Sequence, residues 1–596
     1  MPFDAIVMLL LIGATLVVFA LEIWPIEVTA LSLLVILWLS GFVTSEQAIS
    51  GFSNPAVVTI GALFILSHSL VKTGILEFGS ERLSTAFINR KWVAVSLFLV
   101  VSGLISGFLN NTAVVAVFIP LAVTLCRRLG VSLSHVLIPL SYVSILGGTL
   151  TLIGTSTNLL VSSLAEKAGQ PRFQMFEFLP LGAIFLVVGL FYILLFARRW
   201  LPARVPADPV TAEIAPFVTE VKILPDSALL GKSIREARIL DQYDVTILSI
   251  MRSGRYISED IPNQIFKEND ILVVQGTMED VLRLRSQEKV AFLPDFKLTA
   301  EEVSAEGQSI VEAVIPPNSQ LIGQTLKEAD FRRRYGAFVM AVRRHGETLR
   351  SRIGGIPLQV ADTLLLLVPK GHADKMPAAE GLILLSNVDL QLKTHRFWWL
   401  PLALLPMVVL LSALDLVDIL TGAVVSVVVL LVLGVVRTSE AYRSIDWSVL
   451  ILIAAFVPVS DAILKSGAAD SAAAALYYLT EVIFSGARAQ VAVSLVYLVT
   501  SLSTQLISNT AAAIILTPVC LSLASSLQVD PRPLLIAVCF AASAEFMTPF
   551  GYQTNMMVYG PGRYRFLDYT RFGFPLNIVF WLLATLLIPI FWNFSG

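Results

Sequence analysis

Asn110-Asn111-Thr112 sits between two apolar arms, residues 92–109 and 113–126, and Ser508-Asn509-Thr510 sits between two more, 489–507 and 511–527. Each triplet is followed by a proline, Pro120 and Pro518, and preceded by a hydroxyl residue, Ser106 and Thr504. Read as one helix, either stretch would be roughly 53 Å long at 1.5 Å per residue, against a bilayer core of roughly 30 Å. Two arms meeting at a polar tip, entering the membrane and turning back, fit the length. Irregular backbone at that depth is tolerated only against protein or a water-filled cavity. Both tips are therefore expected to wall a binding site.

The rest of the chain is that of a polytopic membrane protein with a soluble insert: 56% hydrophobic, 14% charged, mean hydropathy +0.78. A net charge of −2 gives no reason to propose nucleic acid as a partner. Cys126, Cys520 and Cys539 all lie in apolar stretches and read as small core residues, with no disulfide or metal framework. The apolar start, residues 5–21, lacks a positive n-region and reads as a retained first span.

Apolar runs at 28–43 and 55–71, the first hairpin, an interrupted span at 134–165 and a span at 177–197 complete a first membrane repeat, residues 1–200. Runs at 397–413, 417–436 and 447–464, the second hairpin, an interrupted span at 532–558 and a last span at 572–593 make the second, residues 393–596. Thr44-Ser45-Glu46 matches Thr438-Ser439-Glu440, and Lys72-Thr73-Gly74 matches Lys465-Ser466-Gly467. The run Thr151 to Asn158 matches Thr548 to Asn555. Five crossings per copy is an odd number, so the second copy lies upside down, the plan of secondary transporters. The expected fold class is an all-α polytopic membrane protein of two inverted repeats. Each has five spans plus one re-entrant hairpin, and a pair of small α+β domains lies between them.

Charge orients it. Lys72, Arg82, Arg90, Lys91, Arg127, Arg128, Arg198, Arg199 and Arg204 fall on one side, as do Lys393, Arg396, Arg437, Arg443, Arg563, Arg565 and Arg571. The insert is thus expected in the cytoplasm and both termini outside, in a plasma (inner) membrane. The insert repeats too, with an offset of 92 residues: Gly231 and Gly323, Tyr243 and Tyr335, Arg252 and Arg344, Gly254 and Gly346, Asp270 and Asp362. Pro225-Asp226-Ser227 likewise recurs as Pro317-Asn318-Ser319. Alternating strands are predicted at 245–251 and 337–343, with final strands at 271–274 and 363–368. The two domains are placed at 205–292 and 293–390.

A helix N-terminus carries unpaired N–H groups and roughly half a positive charge, so it suits an anion. Helices beginning after Asn111, Asn158, Asn509 and Asn555 would aim such ends inward. Unwound carbonyls at Gly154 and Gly551, with side-chain oxygens of Ser106, Asn110, Asn111, Thr504, Ser508 and Asn509, offer hard ligands for a small cation. No lysine or arginine lies at the tips or the broken loops, so an anion there needs dipoles, amides, hydroxyls and co-bound cations.

Ser508-Asn509-Thr510, its near copy Asn110-Asn111-Thr112, and Gly147-Gly148-Thr149-Leu150-Thr151-Leu152-Ile153-Gly154-Thr155 resemble the divalent anion/sodium symporter family over nearly all of both membrane halves. The resemblance implies an elevator mechanism in a homodimer, a small divalent anion as substrate and sodium as coupling ion, with no cofactor. It implies one sodium site at Ser106, Asn110, Asn111 and Gly154, and another at Thr504, Ser508, Asn509 and Gly551. The anion would meet Asn110, Asn111, Thr112, Ser508, Asn509 and Thr510, with Thr157, Asn158, Thr554 and Asn555 of the broken spans. Asn110 departs from the family's serine, and Thr155-Ser156-Thr157 from its proline pair. The insert resembles paired TrkA-C domains, and symporters carrying such an insert resemble a sulfate-transporting branch. A dicarboxylate or another oxyanion is the alternative substrate and proton the alternative coupling ion.

Blander readings stand beside these. Asparagines can simply hydrogen-bond packed helices. Glu545, within an apolar run, is either a cation or proton partner or a structural hydrogen bond. Asp461 reads as interfacial and His68 as a packing residue. Arg332-Arg333-Arg334 and Arg343-Arg344 are either a solvated face or a seat for a small anionic effector. A gated channel is the rival class, without a Thr-Val-Gly-Tyr-Gly filter. An ATP-driven pump or enzyme lacks its Gly-x-x-x-x-Gly-Lys-Ser/Thr loop, and no Gly-x-Gly-x-x-Gly signals a dinucleotide fold.

Overall fold

The computed structural model describes residues 2–72 (apart from 22), 90–203, 397, 399–483 and 488–594. In the insert it describes 217–292, 308–369 and 381–385, with short internal gaps. Thr73, Gly74, Arg82, Arg204, Gly254, Pro317, Asn318, Gly346, Lys393 and Arg396 lie outside the described residues.

The first half runs α1 (Phe3–Ala20), α2 (Ile26–Leu39), α3 (Ser45–Ser50), α4 (Pro55–Lys72), α5 (Lys91–Ser106), α6 (Asn111–Leu129), α7 (Leu137–Gly148), α8 (Ser156–Lys167) and α9 (Leu179–Trp200). After the insert come α13 (Trp399–Ala413), α14 (Ile419–Val432), α15 (Thr438–Ser444), α16 (Trp447–Lys465), α17 (Ala468–Ile483), α18 (Arg488–Thr504), α19 (Asn509–Leu527), α20 (Arg532–Ala542), α21 (Gln553–Tyr559) and α22 (Phe566–Phe591). Among the described residues, six helical runs are long and apolar enough to cross a membrane: Ser45–Lys72, Asn111–Leu129, Leu179–Trp200, Trp447–Lys465, Asn509–Leu527 and Phe566–Phe591. Two of these are the second arms of the tips, so each could span by length alone. What separates the arms is the helix break, not a shortage of residues. Helix α17 was not anticipated, because Asp470 and Glu481 near its ends leave only a short uncharged stretch between them.

The breaks are written locally. Asn110 caps α6 by accepting from the Thr112 amide at 2.8 Å. Ser508 caps α19 by accepting from the Ala511 amide at 3.3 Å. Such caps satisfy otherwise orphaned amides and are worth about 1 kcal/mol each. Thr44 does the same for α3, with Gln47 answering back in a capping box. Pro120 and Pro518 then sit inside α6 and α19, each removing one ladder hydrogen bond.

Packing exchanges the halves. Helix α2 lies against α16 and α4 against α14; α6 meets α21 and α19 meets α8; α9 meets α22. Within each half α5 packs along α7, and α18 along α20. Gly147 permits the first of these close approaches, since a Cβ there would overlap the Gly103 carbonyl. Arg532, at the start of α20, clamps Glu177 with Nε at 2.7 Å and Nη2 at 2.6 Å, fixing the segment before α9 to the second half. Both members of this bidentate pair are 16% exposed.

The insert holds two five-stranded antiparallel sheets, β3-β2-β4-β1-β5 and β8-β7-β9-β6-β10. The first uses β1 (Phe217–Ile223), β2 (Thr246–Arg252), β3 (Arg255–Ile257), β4 (Ile271–Gly276) and β5 (Val290–Phe292). The second uses β6 (Gln308–Val314), β7 (Phe338–Arg344), β8 (Glu347–Thr348), β9 (Thr363–Pro369) and β10 (Ile383–Leu384). Short helices α10 (Ile234–Ala237) and α11 (Ile239–Tyr243) accompany the first sheet, and α12 (Phe331–Tyr335) the second. The matched residues make matched bonds. Arg252 Nε and Nη2 reach Asp270 at 2.8 and 2.7 Å, and Arg344 reaches Asp362 at 2.8 Å with both. Arg344 is thereby committed to Asp362, while Arg343 lies 3.7 Å from Glu312 and Arg334 Nη2 donates to Gln320 Oε1 at 2.7 Å.

Candidate functional site

The tips and broken loops of each half are tied by the same bonds at matched positions. The Thr151 hydroxyl donates to the Gly107 carbonyl and accepts from the Gly154 amide at 3.1 Å. Its counterpart Thr548 donates to the Gln505 carbonyl and accepts from the Gly551 amide, both at 3.4 Å. Asn158 Nδ2 donates to the Thr151 carbonyl at 3.1 Å, and Asn555 Nδ2 to the Thr548 carbonyl at 3.2 Å. An unwound chain has no ladder to satisfy its amides and carbonyls, so these side chains do it instead. Asn158 and Asn555 are thus braces of the loops, buried at 1% and 0% exposure.

The first tip reaches across to the second half. Asn111 Nδ2 donates to the Tyr552 hydroxyl at 2.6 Å, and the Thr112 hydroxyl donates to Gln553 Oε1 at 2.9 Å. The Asn111 Oδ1 accepts from the Ser106 hydroxyl at 2.7 Å, and Ser106 lies 2.7 Å from the Ser144 hydroxyl. Ser141 on α7 likewise reaches over, to Thr554 at 2.8 Å and Asn555 at 2.7 Å. Tyr552 and Gln553 were not among the residues expected at the site. Their positions, just inside the matched run Thr548 to Asn555, were the available signal.

The second tip is arranged differently. Asn509 Oδ1 accepts from the Thr510 amide at 2.8 Å and the Thr510 hydroxyl at 3.3 Å, and Ser508 caps the helix. Ser508 and Asn509 are half-buried, whereas Asn111 is 3% exposed. Glu545 is fully buried beside Thr504, whose hydroxyl it contacts. Three buried oxygens here bear directly on ligand chemistry. Thr157 Oγ1, Asn158 Oδ1 and Glu545 Oε2 have no hydrogen-bond partner. Among the described residues no three His, Cys, Asp or Glu side chains cluster as for a transition metal. The arrangement suits a hard, weakly held cation on oxygen ligands and an anion beside it.

Comparison with known proteins identifies the family. The family model described as citrate transporter matches residues 16–515 and 477–595. An uncharacterised transporter from Synechocystis sp. is 37% identical, across 97% of this chain and 95% of its own. One from Escherichia coli is 30% identical across 99% of this chain and the whole of its own. Sodium/sulfate cotransporter 2 of Chlamydomonas reinhardtii is 32% identical over 54% of this chain and 38% of that protein. Polar tips and broken loops thus lie in a chain whose relatives are transporters. The chain belongs to the citrate transporter family, within the divalent anion/sodium symporters, and is a membrane transporter rather than an enzyme.

Proposed function

We propose that this protein is a secondary active symporter that imports a small divalent anion, sulfate, together with sodium. The observation that carries the reading is the pair of bonds from Asn111 and Thr112 to Tyr552 and Gln553, which builds a polar junction from both halves without a basic side chain. An anion bound at such a junction is stabilised by helix N-termini, amides and hydroxyls, and a co-bound cation supplies the missing charge. The two halves act as inverted repeats whose tips re-enter the bilayer, a reading supported by the exchange of packing partners between copies. Elevator movement in a homodimer, with the insert cytoplasmic and both termini outside, completes the scheme. The relatives named sodium/sulfate cotransporters favour sulfate and sodium. The citrate-transporter family model favours a second reading, a carboxylate as cargo.

Uptake of radiolabelled sulfate by proteoliposomes, with and without a sodium gradient and competed by succinate, citrate, phosphate and thiosulfate, decides between them. Saturable sodium-dependent sulfate uptake supports the reading, and its loss in Asn111→Ala and Asn509→Ala ties it to the tips. Unchanged uptake in both variants would refute the placement of the site.

The insert, divided at 205–292 and 293–390 as two TrkA-C-like domains, regulates transport in this proposal. Its second sheet touches the transport helices directly. Val314 and Leu385 belong to the membrane part's buried cluster, and a Cβ at Gly560, just after α21, would overlap the Ala361 carbonyl. Burial between the units pushes the Arg563 guanidinium down, Arg343 adds to this, and Glu312 opposes it. An effector that binds the insert differently in two transport states would bias them. Replacing 205–390 by a linker and finding identical kinetics and effector response would refute this.

A further inference from the structure

Matching Thr548 to Thr151 places Glu545 at the position of Gly148. In the first half the space beside that glycine is filled by Asn111: a Cβ on Gly148 would stand 2.6 Å from the Asn111 Oδ1. That same Oδ1 accepts from Ser106, the counterpart of Thr504. In the second half the Glu545 carboxylate takes this place, contacting the Thr504 hydroxyl, while Asn509 folds onto its own tip. A carboxylate thus stands where the other copy has a neutral amide.

Further oxygens share with it the space beside Gly551. A Cβ built on Gly551 would meet the Thr504 carbonyl oxygen at 2.9 Å, the Glu545 carboxyl carbon at 3.3 Å and the Thr548 hydroxyl at 3.3 Å. The Thr504 hydroxyl has one proton for two acceptors, the Ala542 carbonyl at 2.9 Å and Glu545 Oε1. Glu545 Oε2 is buried without a partner. Neither 489–527 nor 533–558 contains a lysine, arginine or histidine. A buried carboxylate with no basic neighbour in these segments is neutralised by a bound cation or by a proton, and the oxygens gathered beside it favour the cation.

We propose that Glu545 is a direct carboxylate ligand of the coupling cation in the second half, joined by the Thr504 carbonyl and the Thr548 hydroxyl. It takes the part played in the first half by Asn111, and Asn509 is left to the anion. One carboxylate among neutral oxygens is balanced by a single positive charge, so the ligand is a monovalent, sodium-sized cation. The two cation sites then differ in charge: the first is built of neutral oxygens, and the second carries a fixed negative charge. This rests on the symporter reading above.

The test is thermal unfolding of the purified full chain in detergent, titrated with sodium chloride against choline chloride at constant ionic strength, with no divalent anion present. The wild-type midpoint should rise with sodium, and E545Q should need at least tenfold more sodium for the same rise while eluting as a monodisperse species. If E545Q does not elute so, T548V, which removes another of the oxygens, should weaken the response severalfold. A wild-type protein indifferent to sodium, or a well-folded variant that titrates like wild type, overturns the assignment. A sodium response that depends on Glu545, in a protein that takes up neither sulfate nor carboxylates, would instead refute the symporter reading and leave the ligand in place.

Discussion

Replacing Tyr552 with phenylalanine removes a single oxygen from the junction between the first tip and the opposite loop. Asn111 Nδ2 then loses its acceptor at 2.6 Å, while the Ser106 bond to Asn111 Oδ1 is untouched. Both residues are buried, at 3% and 8% exposure, so water cannot readily substitute. An unpaired buried donor costs about 1–3 kcal/mol in a water-soluble protein. Between membrane helices, coupling energies average only about 0.6 kcal/mol and reach about 1.7, because the unfolded state in lipid also finds partners. The second figure is the relevant one here. A double-mutant cycle of Tyr552→Phe with Asn111→Ala, read by reversible unfolding in detergent mixed with sodium dodecyl sulfate, should therefore give about 0.6–1.7 kcal/mol. The corresponding equilibrium change is roughly 3- to 18-fold. If the bond belongs to the state that binds anion, sulfate uptake at low concentration should fall by a similar factor in the single variant. Coupling within about 0.3 kcal/mol of zero, together with unchanged uptake, would refute the cross-half bond, since independent sites add to within that margin.

Three further outcomes follow from the packing and the insert. Asp362→Ala leaves the Arg344 guanidinium without its partner; Asp362 is 0% and Arg344 19% exposed, so the loss should sit near the low end of about 3–5 kcal/mol. Hydrogen exchange over β7 and β9 measures it, and unaltered protection would refute the pair's structural role. Gly147→Ala should destabilise the membrane part by about 1–3 kcal/mol, because the new methyl meets the Gly103 backbone. Gly13→Ala, with open space around it, is the control for the thermal midpoint. Hydrogen bonds from the Ser233 and Thr325 amides hold the Glu236 and Glu328 carboxyls below their usual value. Their contribution is present above the ordinary carboxylate range and is lost as pH falls through the depressed values. Exchange of those two amides should be flat near neutrality and quicken only in acid, once intrinsic exchange rates are divided out.

Much of the architecture is legible in the chain because helix ends are short-range events. Asn110 and Ser508 stop and restart helices with their own side chains, so a reader of neighbouring residues can place both breaks. The 92-residue offset of the insert likewise foretells the paired arginine–aspartate bonds, which recur atom for atom. Other features escape such reading. Helix α17 has too mixed a face to stand out as a span, and the arms after each tip are long enough to cross by themselves.

What the sequence by itself determined is the list of polar breaks, their duplication and the absence of basic side chains around them. These depend on adjacent residues and on composition. Only the tertiary structure decided which groups face which. Asn111 meets Tyr552 across 441 positions, and near-identical tips acquire different neighbours because Gly148 leaves room for an amide where Glu545 fills the space with a carboxylate. Neither fact has a periodicity to betray it, since both arise from bringing distant segments into one buried volume.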